Sequence, residues 1–290
     1  MIDAQYQRYA TEEKPPAPPP SDPAVLARMN AAQIRAAFLV ERLFVPDQVT
    51  CRCLHLDRAV IGAAVPVAQI LRLPNCKELA ADYFAQRREL GVINIGGAGM
   101  IRADGSQFRL ANREALYIGR GTREVDFSSA DARNPAQFYF VSYPAHAVLP
   151  CSKVGRTQAE STELGSTVGA NRRTINKLIY PGGVASCQLT MGCTDLADGS
   201  VWNTMPAHTH SRRSEIYLYF DLPEPNIVVH CTGAPHETRH VVVRDRQAVL
   251  SPGWFLHFGV GTAGYSFVWS MGGENQEFGD MDMVSMEALT

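Results

Sequence analysis

Short runs of strand-forming residues, separated by turn signals, dominate the chain. They lie at 91–95, 99–102, 107–110, 115–118, 124–127, 138–142, 186–191, 201–209, 215–220, 227–231, 240–243, 248–250, 254–258 and 265–271. Turn signals such as Asp104-Gly105 separate them. Many short strands at this spacing are typical of β-sandwiches, jelly rolls and barrels. The pattern therefore predicts a mainly β protein.

Two helices are predicted beside the strands. Asn30 and Gln33 have the spacing of a capping box, and Ile34 then begins an apolar helix face. Asn75 and Glu78 have the same spacing, which predicts a second helix.

Composition divides the 290-residue chain into four segments. The proline-rich run at 14–23 favours polyproline geometry, so residues 1–24 are predicted to form a flexible arm. Residues 151–175 are rich in Ser, Thr and Gly. We therefore predict an N-terminal β domain at 25–150, a connector at 151–180 and a C-terminal β domain at 181–290.

Charge and apolar runs exclude several classes of partner. The 27 Lys and Arg residues balance 29 Asp and Glu residues, which leaves no electrostatic footprint for nucleic acid or an anionic membrane. The best apolar run, 59–68, is too short to span a membrane. The N-terminus lacks the pattern of a secretory signal, and seven cysteines without CxxC spacing suit free thiols in a reducing cytoplasm.

The clearest chemical signal is a histidine pair followed by an acidic residue. His208 and His210 share one face of a strand because side chains alternate with a period of two. Residues 211–214 can turn the chain, so that Glu215 opens the returning strand. His257 follows another turn. Three imidazoles and a carboxylate suit Zn²⁺, Mn²⁺ or Fe²⁺, whereas the alternative is that these histidines are only exposed or hydrogen-bonded.

Two other motifs are interpreted as coincidental. His236–His240 reads HExxH, but a metalloprotease needs this motif on a helix, and here it enters a predicted strand. The glycine-rich 96–99 segment resembles a dinucleotide loop, but Arg102 stands where the third glycine is required, and a hairpin follows. The N-terminal β domain has only His55 and His146, far apart, and is predicted to hold no metal.

Five longer strings carry a resemblance to a known family. They are Glu89–Gly99 (ELGVINIGGAG), Asn171–Lys177 (NRRTINK), Trp202–Pro206 (WNTMP), Glu237–His240 (ETRH) and Gly273–Gln276 (GENQ). They resemble the 5-keto-4-deoxyuronate isomerase (4-deoxy-L-threo-5-hexosulose-uronate ketol-isomerase) family of the cupin superfamily, from about residue 30 to the C-terminus. The resemblance implies two cupin-type double-stranded β-helix (jelly-roll) barrels and a homohexamer with one zinc per subunit. It also implies that His208, His210, Glu215 and His257 are the metal ligands.

The same resemblance implies a reaction. The family converts 5-dehydro-4-deoxy-D-glucuronate to 3-deoxy-D-glycero-2,5-hexodiulosonate during the breakdown of pectin and related uronate polymers. This aldose–ketose shift requires either a proton transfer next to a carbonyl or a hydride shift. Two other functions stay open, namely a cupin oxygenase that uses Fe²⁺ and a sugar-binding cupin without catalytic activity.

Further site residues are candidates only. Tyr217 and Tyr219 share the face of Glu215 and could line the cavity, and Gln188 could orient a substrate oxygen. A carboxylate substrate favours a basic clamp, for which the candidates are Arg172, Arg173, Lys177, Arg212, Arg213 and Arg239. Among these we favour Lys177 and Arg239, because they flank predicted strands, and His240 could also line the barrel.

Overall fold

The computed structural model describes residues 22–290, so nearly all of the predicted arm at 1–24 lies outside the described residues. The chain folds into two compact units. In the described part, the first unit comprises residues 44–54 and 58–153, and the second comprises 22–43, 55–57 and 154–290.

The second unit begins with two helices and a short strand. Helix α1 (Pro23–Leu26) starts at Asp22, whose carboxylate accepts from the backbone N–H of Ala24. Helix α2 (Ala31–Phe38) starts at Asn30, where the predicted capping box with Gln33 is confirmed. Strand β1 (Leu39–Val40) follows at once. Residues 25–43, expected in the N-terminal domain, therefore belong by their contacts to the second unit.

The first unit consists of two antiparallel sheets. Its strands are β2 (Val49–Cys53), β3 (Val60–Ala64), β4 (Leu71–Arg72), β5 (Arg88–Asn94), β6 (Gly99–Ala103), β7 (Ser106–Leu110), β8 (Ala115–Ile118), β9 (Val125–Ser129), β10 (Phe138–Pro144) and β11 (Ser152–Val154). One sheet has the order β11-β8-β5-β10-β3-β2 and the other β4-β9-β6-β7. Phe127 and Phe138 join them in one apolar cluster, with ring centroids 5.4 Å apart.

In this unit the conformation of turn residues explains why one predicted hairpin is confirmed and one predicted helix is wrong. Asp104 and Gly105 both have positive φ (43° and 87°) and join β6 to β7 as the predicted hairpin. The second predicted helix is wrong, because 3₁₀ turns at Lys77–Leu79 and Phe84–Gln86 stand in its place. Ala80 adopts the left-handed conformation directly after the first turn, and this ends it.

Two larger sheets make up the second unit. Its remaining strands are β12 (Glu160–Leu164), β13 (Arg173–Ile179), β14 (Thr190–Leu196), β15 (Trp202–Thr209), β16 (Arg213–Phe220), β17 (Val228–Ala234), β18 (Glu237–Val243), β19 (Ala248–Ser251), β20 (His257–Gly261), β21 (Ser266–Gly273) and β22 (Asp282–Met283). Other 3₁₀ turns lie at Leu56–Arg58, Arg156–Gln158 and Met286–Ala288. The sheet orders are β1-β19-β16-β21-β14-β13-β12 and β18-β17-β20-β15-β22.

The mainly β architecture with a few short helices, expected from the sequence, is confirmed. Strands β12 and β13 fall in the segment expected as a connector, and they pair with β14 as part of the seven-stranded sheet. The HExxH segment begins in a turn and continues in strand β18, as predicted. Among the described residues, no helix has the length and apolar character needed to cross a membrane.

Strand β16 directs several polar side chains into the interior of the second unit. It lies between β19 and β21 in the seven-stranded sheet, and every residue along it is buried. Alternation places Arg213, Glu215, Tyr217 and Tyr219 on one face of the strand. Their polar atoms therefore line the interior of the unit, where each of them needs a partner.

Close packing around β14 supplies a test of this fold. A Cβ atom at Gly192 would lie 2.1 Å from Cζ2 of Trp269 and 2.5 Å from the carbonyl oxygen of Asn176. We expect Gly192→Ala to destabilise the second unit by about 1–3 kcal/mol through overpacking. At Gly264 the nearest atom would be 3.7 Å away, so Gly264→Ala is the matched control. Thermal unfolding followed by circular dichroism should show a lower midpoint for Gly192→Ala alone, and equal midpoints would contradict this packing.

Candidate metal centre

Three strands and one turn bring four potential ligands together inside the second unit. His208 on β15 lies directly opposite His257, the first residue of β20. The chain leaves β15 after Thr209 and turns at 211–212, which brings Glu215 on β16 back beside His210. All four side chains are buried, with exposed fractions of 8% or less.

A bulge in β15 determines which way its histidines face. Asn203 pairs with Gly259 and His208 pairs with His257, so five steps along β15 match two along β20. Five is odd, so regular alternation would place Asn203 and His208 on opposite faces. The extra residues of the bulge reverse this alternation, and both buried side chains therefore point inward.

The ligand atoms are close enough to share one ion. Oε2 of Glu215 lies 3.0 Å from Nε2 of His210 and 3.1 Å from Nε2 of His257. Nε2 of His257 is 3.3 Å from Nε2 of His208, and the four ligand atoms all lie within 4.8 Å of one another. Zinc bonds of about 2.0–2.1 Å in a tetrahedron separate neighbouring ligand atoms by roughly 3.3 Å, so this spacing fits.

Backbone carbonyls select the tautomer of each ligand histidine. Nδ1 of His208 faces the carbonyl of Pro206 at 3.2 Å, and Nδ1 of His210 faces that of Asp280 at 2.9 Å. Nδ1 of His257 lies 3.3 Å from both the carbonyl of Phe255 and the hydroxyl of Ser251, which can accept as well as donate. A carbonyl only accepts, so each Nδ1 carries the hydrogen and each Nε2 keeps a lone pair for a metal ion.

Electrostatics favour the metal-binding protonation states of His208 and Glu215. Burial lowers the pKa of His208 to about 3, with a further contribution from His257, so this ring is neutral at physiological pH. Burial alone would raise the pKa of Glu215, but His257 and His210 hold it well below its ordinary value. A carboxylate and neutral imidazoles are the forms that bind metal. The donors and their spacing fit a divalent ion.

The two tyrosine candidates lie beside this centre and differ in their partners. The hydroxyl of Tyr217 is 3.4 Å from Oγ1 of Thr204, and its ring centroid is 5.5 Å from that of His257. Tyr219 instead contacts Nδ1 of His230 at 2.7 Å. Burial raises the pKa of both phenols well above the ordinary value, and the charge of Glu215 adds to the effect. Both are therefore protonated at neutral pH.

The remaining candidates are placed less centrally. Gln188 lies in a bend before β14 rather than on a strand. Lys177 forms an ion pair with Glu160 at 2.7 Å. Arg239 lies on strand β18 at the edge of its sheet, where it pairs with Glu237 at 2.6 Å.

His240 points away from the centre. It pairs with Cys231 in the register of β17 and β18, whereas His230, the neighbour of Cys231, shares the inner face with His257. The side chain of His240 is exposed. The register therefore separates His240 from the metal cluster.

Arg173 is a buried basic candidate that the sequence analysis ranked below Lys177 and Arg239. It is 6% exposed and donates to the carbonyls of Asn171 and Met205, each at 2.9 Å. Burial lowers its pKa, while Tyr217 and Tyr265 act in the opposite direction. Among the described residues Arg173 forms no ion pair with a carboxylate, whereas Arg172, Arg212 and Arg239 all do.

A buried polar group around His230 was missed entirely. His230, Asn203 and Tyr219 form hydrogen bonds in the interior, next to Tyr217. No spacing rule links His230 to the ligand motif, because it lies on another strand. The only sequence signal was alternation along β17, which places His230 and the polar Thr232 on the same, buried face of the strand.

Loss of one ligand should abolish metal binding. His257→Ala removes one of the three imidazole nitrogens and weakens the affinity of the centre, so we expect metal content after dialysis against a chelator to fall from one ion per chain to under about a tenth. His240→Ala removes a histidine from the opposite face of the sheet and should retain the ion. Mass spectrometry of metal content checks both variants, and a fully loaded His257→Ala protein would contradict the assignment.

Comparisons with known proteins identify relatives of this chain. Residues 42–286 match the sequence profile of the KduI/IolB family. The chain is 48% identical over 267 residues to the 4-deoxy-L-threo-5-hexosulose-uronate ketol-isomerase of Caldicellulosiruptor bescii, covering 92% of this chain and 97% of that protein. It is 49% identical over 264 residues to the same-named protein of Yersinia pseudotuberculosis, covering 90% and 95%.

A solved structure shows the same fold in a distant sequence. An IolB-like protein from Salmonella typhimurium superposes with a TM-score of 0.69 at 14% identity, covering 86% of this chain and 97% of that one. The match to the family profile and the high identity to its relatives extend over nearly the whole chain. The chain therefore belongs to the KduI/IolB family.

Proposed function

We propose that this chain is a metal-dependent ketol-isomerase that converts 5-dehydro-4-deoxy-D-glucuronate to 3-deoxy-D-glycero-2,5-hexodiulosonate in uronate catabolism. The carrying observation is the buried centre of His208, His210, Glu215 and His257 in a chain 48% identical to a ketol-isomerase of that specificity. The reaction moves a carbonyl between adjacent carbons, so its difficult intermediate is negatively charged. A polar interior that stabilises charge suits this chemistry.

We propose zinc, one ion per subunit, as the metal. Three imidazole nitrogens and one carboxylate form a donor set that zinc prefers, and Mn²⁺ or Fe²⁺ could use the same ligands. When bound, the ion would supply a Lewis acid for the oxygens of the substrate. Glu215 already has two imidazole neighbours, so its role is to bind the ion rather than to act as a base.

Tyr217 is our candidate for a group that contacts substrate. Its ring lies beside His257, and its phenol is protonated at neutral pH because burial and Glu215 raise its pKa. A protonated phenol donates, so Tyr217 would hydrogen-bond to a substrate oxygen or return a proton to it.

Arg173 replaces Lys177 and Arg239 as our candidate for the carboxylate clamp. Its guanidinium is fixed by two carbonyls, and Tyr217 is among the groups that raise its pKa against the effect of burial. A guanidinium held in this way keeps N–H groups free for a planar, bidentate contact with a carboxylate. Lys177 and Arg239 already have carboxylate partners.

The resemblance to the isomerase family also supports a cytoplasmic homohexamer as the working form. Light scattering coupled to size-exclusion chromatography measures the number of subunits directly.

The reaction should proceed without oxygen. We expect the zinc-loaded protein to convert 5-dehydro-4-deoxy-D-glucuronate under anaerobic conditions, with the product identified by NMR of the sugar. His257→Ala serves as the control and should show at least about a hundredfold loss of turnover together with its metal. Oxygen uptake that depends on Fe²⁺ would favour an oxygenase. Substrate binding without turnover would favour a sugar-binding protein.

Weakened substrate binding should follow the loss of the planar guanidinium. We expect Arg173→Lys to raise KM by about tenfold or more, because an ammonium does not make the bidentate contact. Arg172→Lys is the matched control, since Arg172 is exposed and pairs with Glu163. Steady-state kinetics and thermal unfolding of both variants would be compared, and an unchanged KM in a stable Arg173→Lys protein would contradict the clamp.

A further inference from the structure

His230 is a histidine of the interior that is outside the metal ligand set. It lies on β17 with no exposed surface, opposite Gly259 of β20. Its ring centroid is 5.5 Å from that of Tyr217, and the ring of Tyr217 is in turn 5.5 Å from that of His257. His230 is therefore one aromatic ring away from the proposed metal.

A row of hydrogen bonds orients this histidine. A backbone carbonyl at one end of the row fixes which group donates and which accepts in each bond. The hydroxyl of Tyr265 donates to the carbonyl of Val201 at 3.2 Å, because the carbonyl only accepts. The same hydroxyl must therefore accept from Nδ2 of Asn203, at 2.9 Å. Nδ2 also donates to the hydroxyl of Tyr219 at 3.2 Å.

The row then determines the tautomer of His230. The hydroxyl of Tyr219 receives a hydrogen bond from Asn203, so its own hydrogen points to Nδ1 of His230, 2.7 Å away. Nδ1 is thus an acceptor, and the neutral ring carries its hydrogen on Nε2. Nε2 is buried and meets no hydrogen-bond partner within residues 22–290.

The local packing keeps this row in place. Gly259 lies between Asn203 and His230 in the register of the sheet, on the strand that separates them. A Cβ atom at Gly259 would lie 3.2 Å from both the hydroxyl of Tyr219 and Nδ2 of Asn203. The absence of a side chain there leaves room for the hydrogen bonds to cross between strands.

We propose that His230 is a further catalytic residue, whose neutral Nε2–H donates a hydrogen bond to a substrate oxygen at the reacting carbons. Tyr219 and Asn203 act as positioning residues that hold the required tautomer. This inference rests on the proposed isomerase function. An aldose–ketose shift by proton transfer develops negative charge on the two oxygens of the reacting carbons, and a donor placed in a buried interior stabilises such charge.

The chemistry of the ring supports a donor rather than a base. With its hydrogen on Nε2 and its lone pair engaged by Tyr219, His230 has no free lone pair to remove a proton. Burial lowers its pKa to about 3, so it donates from the neutral form across the physiological range. The contact is a hydrogen bond without proton transfer, so no covalent bond is broken and the hydrogen stays on Nε2.

The tautomer is tested first, without turnover. Nitrogen-15 NMR of histidine side chains, in metal-free and zinc-loaded protein, should show a protonated Nε2 and an unprotonated Nδ1 for the resonance that disappears in His230→Gln. In Tyr219→Phe the donor to Nδ1 is gone, so the Nδ1–H form should become detectable. A wild-type His230 protonated on Nδ1 would overturn the proposed hydrogen-bond direction.

The role of the donor is tested by kinetics. We expect His230→Leu to lower kcat by about a hundredfold or more, as the loss of one such donor does in other sites. KM should change less than threefold, and metal content and melting temperature should stay at wild-type values. His230→Gln keeps an N–H donor and should recover part of the loss. Tyr219→Phe should lie between Leu and wild type.

The outcomes separate this inference from the function on which it rests. Wild-type turnover with an unaffected His230→Leu protein would overturn the role of His230 and leave the isomerase intact. No turnover by the zinc-loaded wild type would overturn the proposed function and the substrate contact together, while the NMR experiment would still decide the tautomer. His236→Leu, which alters a histidine in the turn before β18, is the control and should leave kcat unchanged.

Discussion

The structure of the second unit depends on the burial of one carboxylate. Glu215 lies on a strand whose residues are all buried, and a carboxylate in such a place is costly unless charge or hydrogen bonds compensate for it. His210 and His257 place their Nε2 atoms about 3 Å away. They compensate for the carboxylate as N–H donors when Nε2 is protonated, and a shared divalent ion does so when Nε2 offers a lone pair. These rings are held by the turn after β15 and by the start of β20. The position of this one carboxylate therefore constrains three strands.

Two features direct side chains into the interior around this carboxylate: the regular alternation of side chains along β16 and the bulge that interrupts this alternation in β15. Along β16, period-two alternation directs Glu215 and the two tyrosines inward. Along β15 the same rule would send Asn203 and His208 to opposite faces, and only the bulge makes both face inward. The bulge thus joins two functions in one strand, because Asn203 orients the tyrosines while His208 can bind the ion.

Much of this could be predicted from sequence because it depends on local rules. The strands of both units follow from β-type runs between turn signals, and the approach of His208, His210 and Glu215 follows from parity and one short turn. The helix expected near Asn75 failed, because a left-handed Ala80 is not visible in a capping pattern. The place of His230 was also hidden, since it depends on the register between β17 and β20.

Arg173 shows a related limit. Sequence reasoning favoured basic residues by their position along strands, and it could not tell which of them already had carboxylate partners. Lys177 is bound to Glu160 across the β12–β13 pair, whereas Arg173 on the same strand contacts carbonyl oxygens. The difference lies in what the neighbouring strand and loop present to each side chain. That is tertiary information, and it changes the preferred binding residue.

One chemical rule unites the four buried histidines of the interior. In each case, the group that faces Nδ1 decides what Nε2 can do. A carbonyl faces Nδ1 of His208, His210 and His257, and at His257 the hydroxyl of Ser251 accepts beside it, so their Nε2 atoms offer lone pairs. A hydroxyl that donates faces Nδ1 of His230, so its Nε2 offers a hydrogen instead. A cation needs a lone pair, and a developing oxyanion needs a hydrogen-bond donor. Histidine supplies the lone pair where a backbone carbonyl faces Nδ1, and it supplies the donor where the hydroxyl of Tyr219 does.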